Sequence, residues 1–134
     1  EAQQLRKNAG KITSNIDIAP TIVDLLNLEH KKELKAILAN YTGYSLLKNV
    51  PSNRTIITMN NNEVARFKVG ISVLKGKYHY LHRMNIVPNR EEVYNIAKDP
   101  KEENNRRGII SPNQLNSILK ATRNYPICKK YLPQ

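Results

Sequence analysis

The sequence contains a single cysteine, Cys128, one phenylalanine and no tryptophan. One cysteine excludes an internal disulfide framework, and no set of cysteines and histidines has the spacing of a zinc site. No apolar run approaches the ~20 residues of a transmembrane helix, and no signal peptide is visible. The apolar fraction, 40%, is low for a globular domain, so we expect a layer that packs on another body. The first residue is Glu rather than Met, which favours a processed product or a fragment.

Acidic residues are also scarce. The chain has 11 of them against 22 basic residues, a net charge of +11, and 13 of the basic residues lie in the second half, residues 68–134. Such a balance attracts nucleic acid, anionic lipid or an anionic substrate, but it is equally typical of a solvated surface. The basic residues are scattered and do not alternate with aromatics, so we expect no specific nucleic-acid binding.

The stretch Ser14–Leu28 carries the clearest helical pattern. Asp17 has the side chain of an N-cap residue, and Pro20 falls in the first turn, where its missing N–H costs little. With about 100° between successive residues, the apolar side chains cover an arc of roughly 160°: Ile18, Ala19, Ile22, Val23, Leu25 and Leu26. So wide a stripe predicts a helix that docks against a large body, and that body need not be part of this chain.

The remaining periodicity predicts an α+β fold. Residues 1–13 are interpreted as a linker or frayed segment and residues 14–134 as one subdomain, with a second, shorter helix over residues 29–40. Alternating patterns predict an antiparallel sheet of about four strands, with a turn at residues 60–62: 54–59, 65–73, 77–84 and 93–96. A capping box at Ser111 begins a C-terminal helix that packs on the sheet through Leu115, Ile118 and Leu119, and Pro126 is expected to end it.

Four segments together resemble the C-terminal third of the sulfatase family, within the alkaline phosphatase superfamily. Asp-Ile-Ala-Pro-Thr at residues 17–21 leads into an apolar helix, and Gly-Tyr-Ser-Leu follows at 43–46. Gly-Lys-Tyr at 76–78 precedes a strand, and residues 92–105 read Glu-Val-Tyr-Asn-Ile-Ala-Lys-Asp-Pro-Lys-Glu-Glu-Asn-Asn. Departures from the family pattern are Asn15 for His, Asn27-Leu28 for a helix end containing Gly, and Asn95 for Asp. We interpret the motifs as structural, and expect Tyr94 and Ile96 to face the packing side of the sheet.

The resemblance implies a hydrolase of sulfate esters. Its nucleophile, a formylglycine, would lie upstream of this chain. A divalent metal, calcium by resemblance, would be held by residues of the same upstream part and would polarise sulfate oxygens there. The implied partners are a catalytic N-terminal domain and an anionic, sulfated substrate, and family members are commonly exported or periplasmic. We therefore expect no catalytic residue and no metal site within the chain, and no turnover by the chain alone.

A few residues are candidates for one wall of a substrate cleft. Three basic residues fall on or near the predicted solvent-exposed face of the sheet, where a cation can approach an anionic group: Arg66, Lys68 and Lys77. His79 and His82 are three residues apart on a strand, so they face opposite sides and cannot form one site. The substrate-binding candidates are therefore Arg66, Lys77 and His79. Cys128 is interpreted as structural, although neighbouring lysines can lower the pKa of a thiol.

Two other functions fit the sequence. A phosphoethanolamine or phosphoglycerol transferase of the same superfamily shares the Asp-x-x-Pro-Thr helix, whereas the Tyr-Asn-Ile-x-x-Asp-Pro segment is more typical of sulfatases. A free-standing basic module that binds anionic polymers would show strongly salt-dependent affinity.

Overall fold

The computed structural model describes residues 2–61, 69–84 and 90–132. The chain divides into two compact units, Glu1–Arg54 and Thr55–Gln134. This boundary falls well after residue 13, where the sequence analysis placed one. In the part of the chain that is described, no helix is long and apolar enough to cross a membrane.

The first unit consists of short helices. They are α1 (Ala2–Asn8), a 3-10 turn (Asn15–Asp17), α2 (Ile18–Leu25), a second 3-10 turn (Lys32–Leu34) and α3 (Lys35–Leu38). Helix α1 lies in the segment interpreted as a linker, and its last residue, Asn8, is buried. The Asn8 amide donates to the carbonyl oxygens of Leu46 and Lys48, at 2.8 Å each. These two bonds attach the N-terminal segment to the loop that precedes Arg54.

Helix α2 ends about a turn earlier than the apolar pattern predicts. Asn27 adopts a φ of 51°, the left-handed conformation that commonly ends a helix and that asparagine tolerates. The Leu28 N–H then donates to the carbonyl oxygen of Val23 at 2.9 Å, which satisfies a terminal acceptor of the helix. At the Asn27-Leu28 departure noted in the sequence, the chain therefore still has a residue in the left-handed conformation at the end of the helix.

The second unit contains the predicted antiparallel sheet. Its strands, β1 (Thr55–Asn61), β2 (Val69–Lys75), β3 (Tyr78–Met84) and β4 (Arg90–Asn95), pair in sequence order. The turn predicted at residues 60–62 is wrong for its first two residues, since both pair with β2, and the third lies outside the described residues. The β2–β3 turn consists of Gly76 and Lys77, which connect the paired residues Lys75 and Tyr78, and Gly76 has a φ of +54°.

One face of the sheet packs against the C-terminal helices, as predicted. Helix α4 (Pro112–Leu119) begins at the Ser111–Gln114 capping box, and a 3-10 turn (Lys120–Asn124) and α5 (Pro126–Tyr131) follow. Pro126 does not end a helix but begins one, at a position where its missing N–H is not needed. The core between sheet and helices is contiguous: Ile71, Val73, Tyr80, Val93, Ile118, Leu119, Cys128 and Leu132.

The opposite face of the sheet, which we call the polar face, carries most of the chemistry of the second unit. Successive side chains of a strand alternate between faces, and the register places these residues on the side away from the core: Thr58, Ser72, His79, Leu81, Arg83, Arg90, Glu92 and Tyr94. The prediction that Tyr94 faces the packing side is therefore wrong. Val93 fills the core instead, opposite Tyr80.

Candidate functional site

The structure describes two of the three predicted substrate-binding residues. Arg66, like Lys68, lies outside the described residues. Lys77 lies in the β2–β3 turn, with its ammonium 5.6 Å from the centroid of the Tyr78 ring. His79 lies on the polar face, whereas His82 lies on the core face, so the two histidines are on opposite sides as predicted. Their roles toward a substrate stay predictions.

His79 has a hydrogen-bond partner at each ring nitrogen. Its Nε2 lies 2.7 Å from Ser72 Oγ, and its Nδ1 lies 2.6 Å from Glu102 Oε1. Ser72 and His79 are diagonal neighbours across the β2–β3 hairpin, since Ser72 pairs with Leu81. The three side chains therefore form a chain of hydrogen bonds on the polar face, which the sequence analysis did not foresee.

The loop after β4 places Glu102 next to His79. The Asp99 carboxylate accepts from the backbone N–H groups of Glu103 at 3.1 Å and Asn104 at 2.9 Å. The N–H of Asn104 is the main cause that lowers the pKa of Asp99. A turn thus begins at Asp99, whose side chain bonds backbone groups four and five residues further on. Glu102 has a φ of 57°, so this loop holds a glutamate in a backbone conformation that few side chains tolerate.

Asn105, the last residue of the sulfatase-like segment, fastens the same loop to β4. Its side-chain oxygen accepts from the N–H of Val93 at 3.0 Å and from that of Arg107 at 2.9 Å. Its amide donates to the carbonyl oxygen of Glu91 at 3.4 Å. The motif residues Asp99 and Asn105 therefore shape the loop, in agreement with the structural interpretation.

A second polar cluster on the same face surrounds Glu92, whose side chain is 1% exposed. Its carboxylate accepts from Arg90 at 2.7 Å, Arg83 at 3.1 Å and the Tyr94 hydroxyl at 3.0 Å. Burial, followed by the bond to Glu92, raises the pKa of Tyr94. The two arginines share one carboxylate, so the three side chains keep a net charge of +1, and the side chains of Arg83 and Arg90 are 51% and 61% exposed.

Helix α2 and the Gly-Tyr-Ser-Leu loop of the first unit are joined by Asp17, which is not the side-chain N-cap that we predicted. Its carboxylate forms a buried, bidentate ion pair with Arg54, at 2.7 and 3.0 Å. It also accepts from the N–H groups of Tyr44 at 2.8 Å and Ser14 at 2.9 Å. Burial raises the pKa of Asp17, but these bonds, led by that of Arg54, outweigh it and leave the pKa below its usual value.

Thr21 and Gly43 complete this junction. The Thr21 hydroxyl donates to the carbonyl oxygen of Asp17 at 2.6 Å and accepts from the N–H of Leu46 at 2.9 Å. A β-carbon at Gly43 would lie 1.9 Å from the carbonyl oxygen of Ile16, so only glycine allows this approach. The two sulfatase-like segments of the first unit therefore hold each other through polar contacts.

Cys128 lies in the core, where burial raises the pKa of its thiol. The lowering by neighbouring lysines that we considered does not prevail. Among residues 2–61, 69–84 and 90–132, no three His, Cys, Asp or Glu side chains come together as metal ligands.

Comparison with solved structures identifies the fold. A protein of Bacteroides thetaiotaomicron VPI-5482 described as a sulfatase matches 86% of this chain with a TM-score of 0.63 and 24% identity. The chain has the fold of a sulfatase region. A second structure, that of BT4656 in complex with its substrate D-glucosamine-2-N,6-O-disulfate, matches 91% of the chain with a TM-score of 0.59 and 21% identity.

The sulfatase fold of this chain is only part of a longer one. The chain spans about a quarter of the length of these two proteins, 25% and 26%. No family model and no curated protein matches the chain. The resemblance stated from four sequence segments is thus confirmed at the level of fold.

Proposed function

We propose that this chain is the C-terminal part of a sulfatase-like enzyme that hydrolyses sulfate esters. The observation that carries the proposal is the sulfatase fold, shared over 86% of this chain but only 25% of the matching protein. The nucleophile and the metal ligands would lie upstream of this chain. A divalent cation such as calcium, bound there, would polarise the sulfate oxygens. The chain's own contribution is a scaffold and one wall of the cleft.

The burial pattern of the first unit supports its docking against the catalytic domain of the same enzyme. Among its described residues, 2–54, the buried side chains are mostly polar: Asn8, Asp17, Ser45, Val50 and Arg54. Three large apolar residues of α2 are instead exposed, Ile18 by 55%, Ile22 by 48% and Leu25 by 57%. A helix that is this apolar gains stability only when its stripe is covered. We propose that the upstream catalytic domain covers it.

The substrate class follows from charge. The substrate of BT4656 is a doubly sulfated amino sugar, and the negative charge of a sulfated sugar is complementary to a chain with a net charge of +11. Lys77, at the exposed β2–β3 turn, and Arg66 are the cations that we propose to approach the substrate. His79 stays a weaker candidate, because both of its ring nitrogens are already occupied.

The proposal is tested by the activity of the full-length protein. We expect it to hydrolyse an aryl sulfate, and the 134-residue chain expressed separately to release no sulfate, which is measured by ion chromatography. Transfer of phosphoethanolamine by the full-length protein without sulfate release would instead support the transferase. Salt-sensitive binding to heparin by a full-length protein with neither activity would support the basic module.

The docking of α2 is tested with Leu25→Asp in the full-length protein. Burying a leucine stabilises by about 1.5–3 kcal/mol, so the aspartate is expected to lower the melting temperature by several degrees and to expose apolar surface to a hydrophobic dye. Ile109→Asp is the matched control, because Ile109 is an apolar residue that is 73% exposed in the second unit. Equal melting temperatures for the two variants would contradict the docking role.

A further inference from the structure

The hydrogen-bond chain Ser72–His79–Glu102 has the order of groups found in nucleophilic serine sites. A hydroxyl lies 2.7 Å from one imidazole nitrogen, and a carboxylate lies 2.6 Å from the other. Both distances are within the range in which a base can take a proton from a nucleophile while a third group orients the base. Such sites are recognised by geometry and not by the order of residues in the sequence.

For a neutral imidazole, the chemistry of the three groups fixes where the protons lie. An ionised Glu102 can only accept, so His79 Nδ1 must carry the proton that they share. In the neutral imidazole, Nε2 is then an acceptor, and the Ser72 hydroxyl donates to it. This is the tautomer in which His79 can remove the Ser72 proton.

The site is open to a small reagent and is held in place by its surroundings. The side chains of His79 and Glu102 are 20% and 32% exposed. Glu102 keeps a left-handed backbone, φ 57°, within a loop that the Asp99 carboxylate ties together. Unfavourable backbone conformations of this kind persist where the surrounding structure imposes them, often at functional positions.

We propose that Ser72 is an activated nucleophile that accepts an acyl group from an ester with a good leaving group. Ser72 Oγ forms a bond to the carbonyl carbon, and the bond from that carbon to the leaving oxygen breaks. The Ser72 proton passes to His79 Nε2 and from there to the leaving oxygen, so an alcohol or phenol departs. Glu102 is a positioning residue that holds the tautomer and orientation of His79. The site is independent of the proposed sulfatase activity.

The test uses the full-length protein and p-nitrophenyl acetate, with peptide mapping by mass spectrometry to locate the acetyl group. We expect acetylation at Ser72, and none at this position in Ser72→Ala or in protein unfolded by urea. Removing a general base slows proton transfer by about 100-fold or more, so His79→Ala is expected to slow the labelling of Ser72 to that extent. Lysine acetylation elsewhere is the internal reference for reagent and dose.

Further variants separate activation from structure. Thr58→Ala is the matched control, because Thr58 is an exposed hydroxyl residue and the cross-strand partner of Ser72. In this variant, Ser72 should be acetylated at the same rate as in the wild type. Glu102→Gln keeps the size of the side chain, and we expect slower labelling with an unchanged melting temperature and partial rescue by Glu102→Asp. Equal labelling rates of Ser72 in the wild type and in Glu102→Gln, or no more acetyl on Ser72 than on Thr58, would overturn the proposal.

Discussion

Replacing Arg54 with alanine is expected to lower the free energy of unfolding by about 3–5 kcal/mol, because removing one partner of a buried ion pair leaves an uncompensated charge. The side chains of Arg54 and Asp17 are 4% and 1% exposed, and two bonds join them. Urea denaturation followed by circular dichroism measures the loss. Faster hydrogen exchange at the Tyr44 amide, which donates to Asp17, would show that the loss of stability lies at this ion pair.

The effect of Arg54→Ala has a defined pH dependence. The folded-state pKa of Asp17 is below its usual value of 3.8, so the stability that Asp17 contributes is complete above about pH 4 and is lost as the pH falls through the folded pKa. The alanine variant no longer gains from an ionised Asp17. The difference in stability between wild type and variant should therefore be constant above about pH 4 and should narrow as the pH falls below that through the lowered pKa of Asp17.

Lys48→Ala is the control for this comparison. Lys48 pairs with Asp24 and Glu29 in the same unit, but its side chain is 62% exposed. Exposed pairs contribute about 0–1 kcal/mol, so the variant should lose no more than that. A loss in Arg54→Ala as small as in Lys48→Ala would contradict the role assigned to the buried pair.

Replacing Gly43 with alanine is expected to destabilise the first unit by about 3 kcal/mol, at the upper end of overpacking effects. The added β-carbon would lie 1.9 Å from the Ile16 carbonyl oxygen and 2.5 Å from its carbon. Since both are backbone atoms, the loop itself must move away from the turn that contains Asp17. That movement lengthens the bond between Tyr44 and Asp17, and the Tyr44 amide should exchange faster.

Gly108→Ala is the matched substitution, because a β-carbon there meets no atom within 4 Å. We expect its free energy of unfolding to stay within about 0.5 kcal/mol of the wild type, as for most surface substitutions. If Gly43→Ala is no less stable than Gly108→Ala, the close approach at Gly43 is not needed for folding.

The sequence allowed the sheet to be predicted more accurately than the helices. Strand β3 was located well, because Gly76 interrupts the pattern just before it and two tyrosines then alternate with other residues. Strand β4 misled us, since Val93 is 0% and Tyr94 7% exposed although they face opposite sides. A strand that is buried on both faces has no alternation from which its orientation can be deduced.

The candidate sites depend on contacts that local patterns do not contain. Asp17 looked like an N-cap because its neighbours in sequence favour a helix start, whereas its partner Arg54 is 37 residues away. Ser72 and His79 lie in one hairpin and were within reach of a register argument based on the Gly76 turn. Glu102 was not, because a glutamate at positive φ follows from the fold of its loop and not from a pattern of residue types.

The junction of Asp17, Thr21, Gly43 and Arg54 has a consequence for how the first unit tolerates substitution. Asp17 bonds Arg54 and the Tyr44 amide, Thr21 bonds the Leu46 amide, and Gly43 lies too close to the Ile16 carbonyl for a β-carbon. These bonds join residues 25 to 37 positions apart in the sequence, and replacing one partner leaves the other without its bond. We therefore expect the Asp-Ile-Ala-Pro-Thr and Gly-Tyr-Ser-Leu segments to accept changes only in compensating pairs.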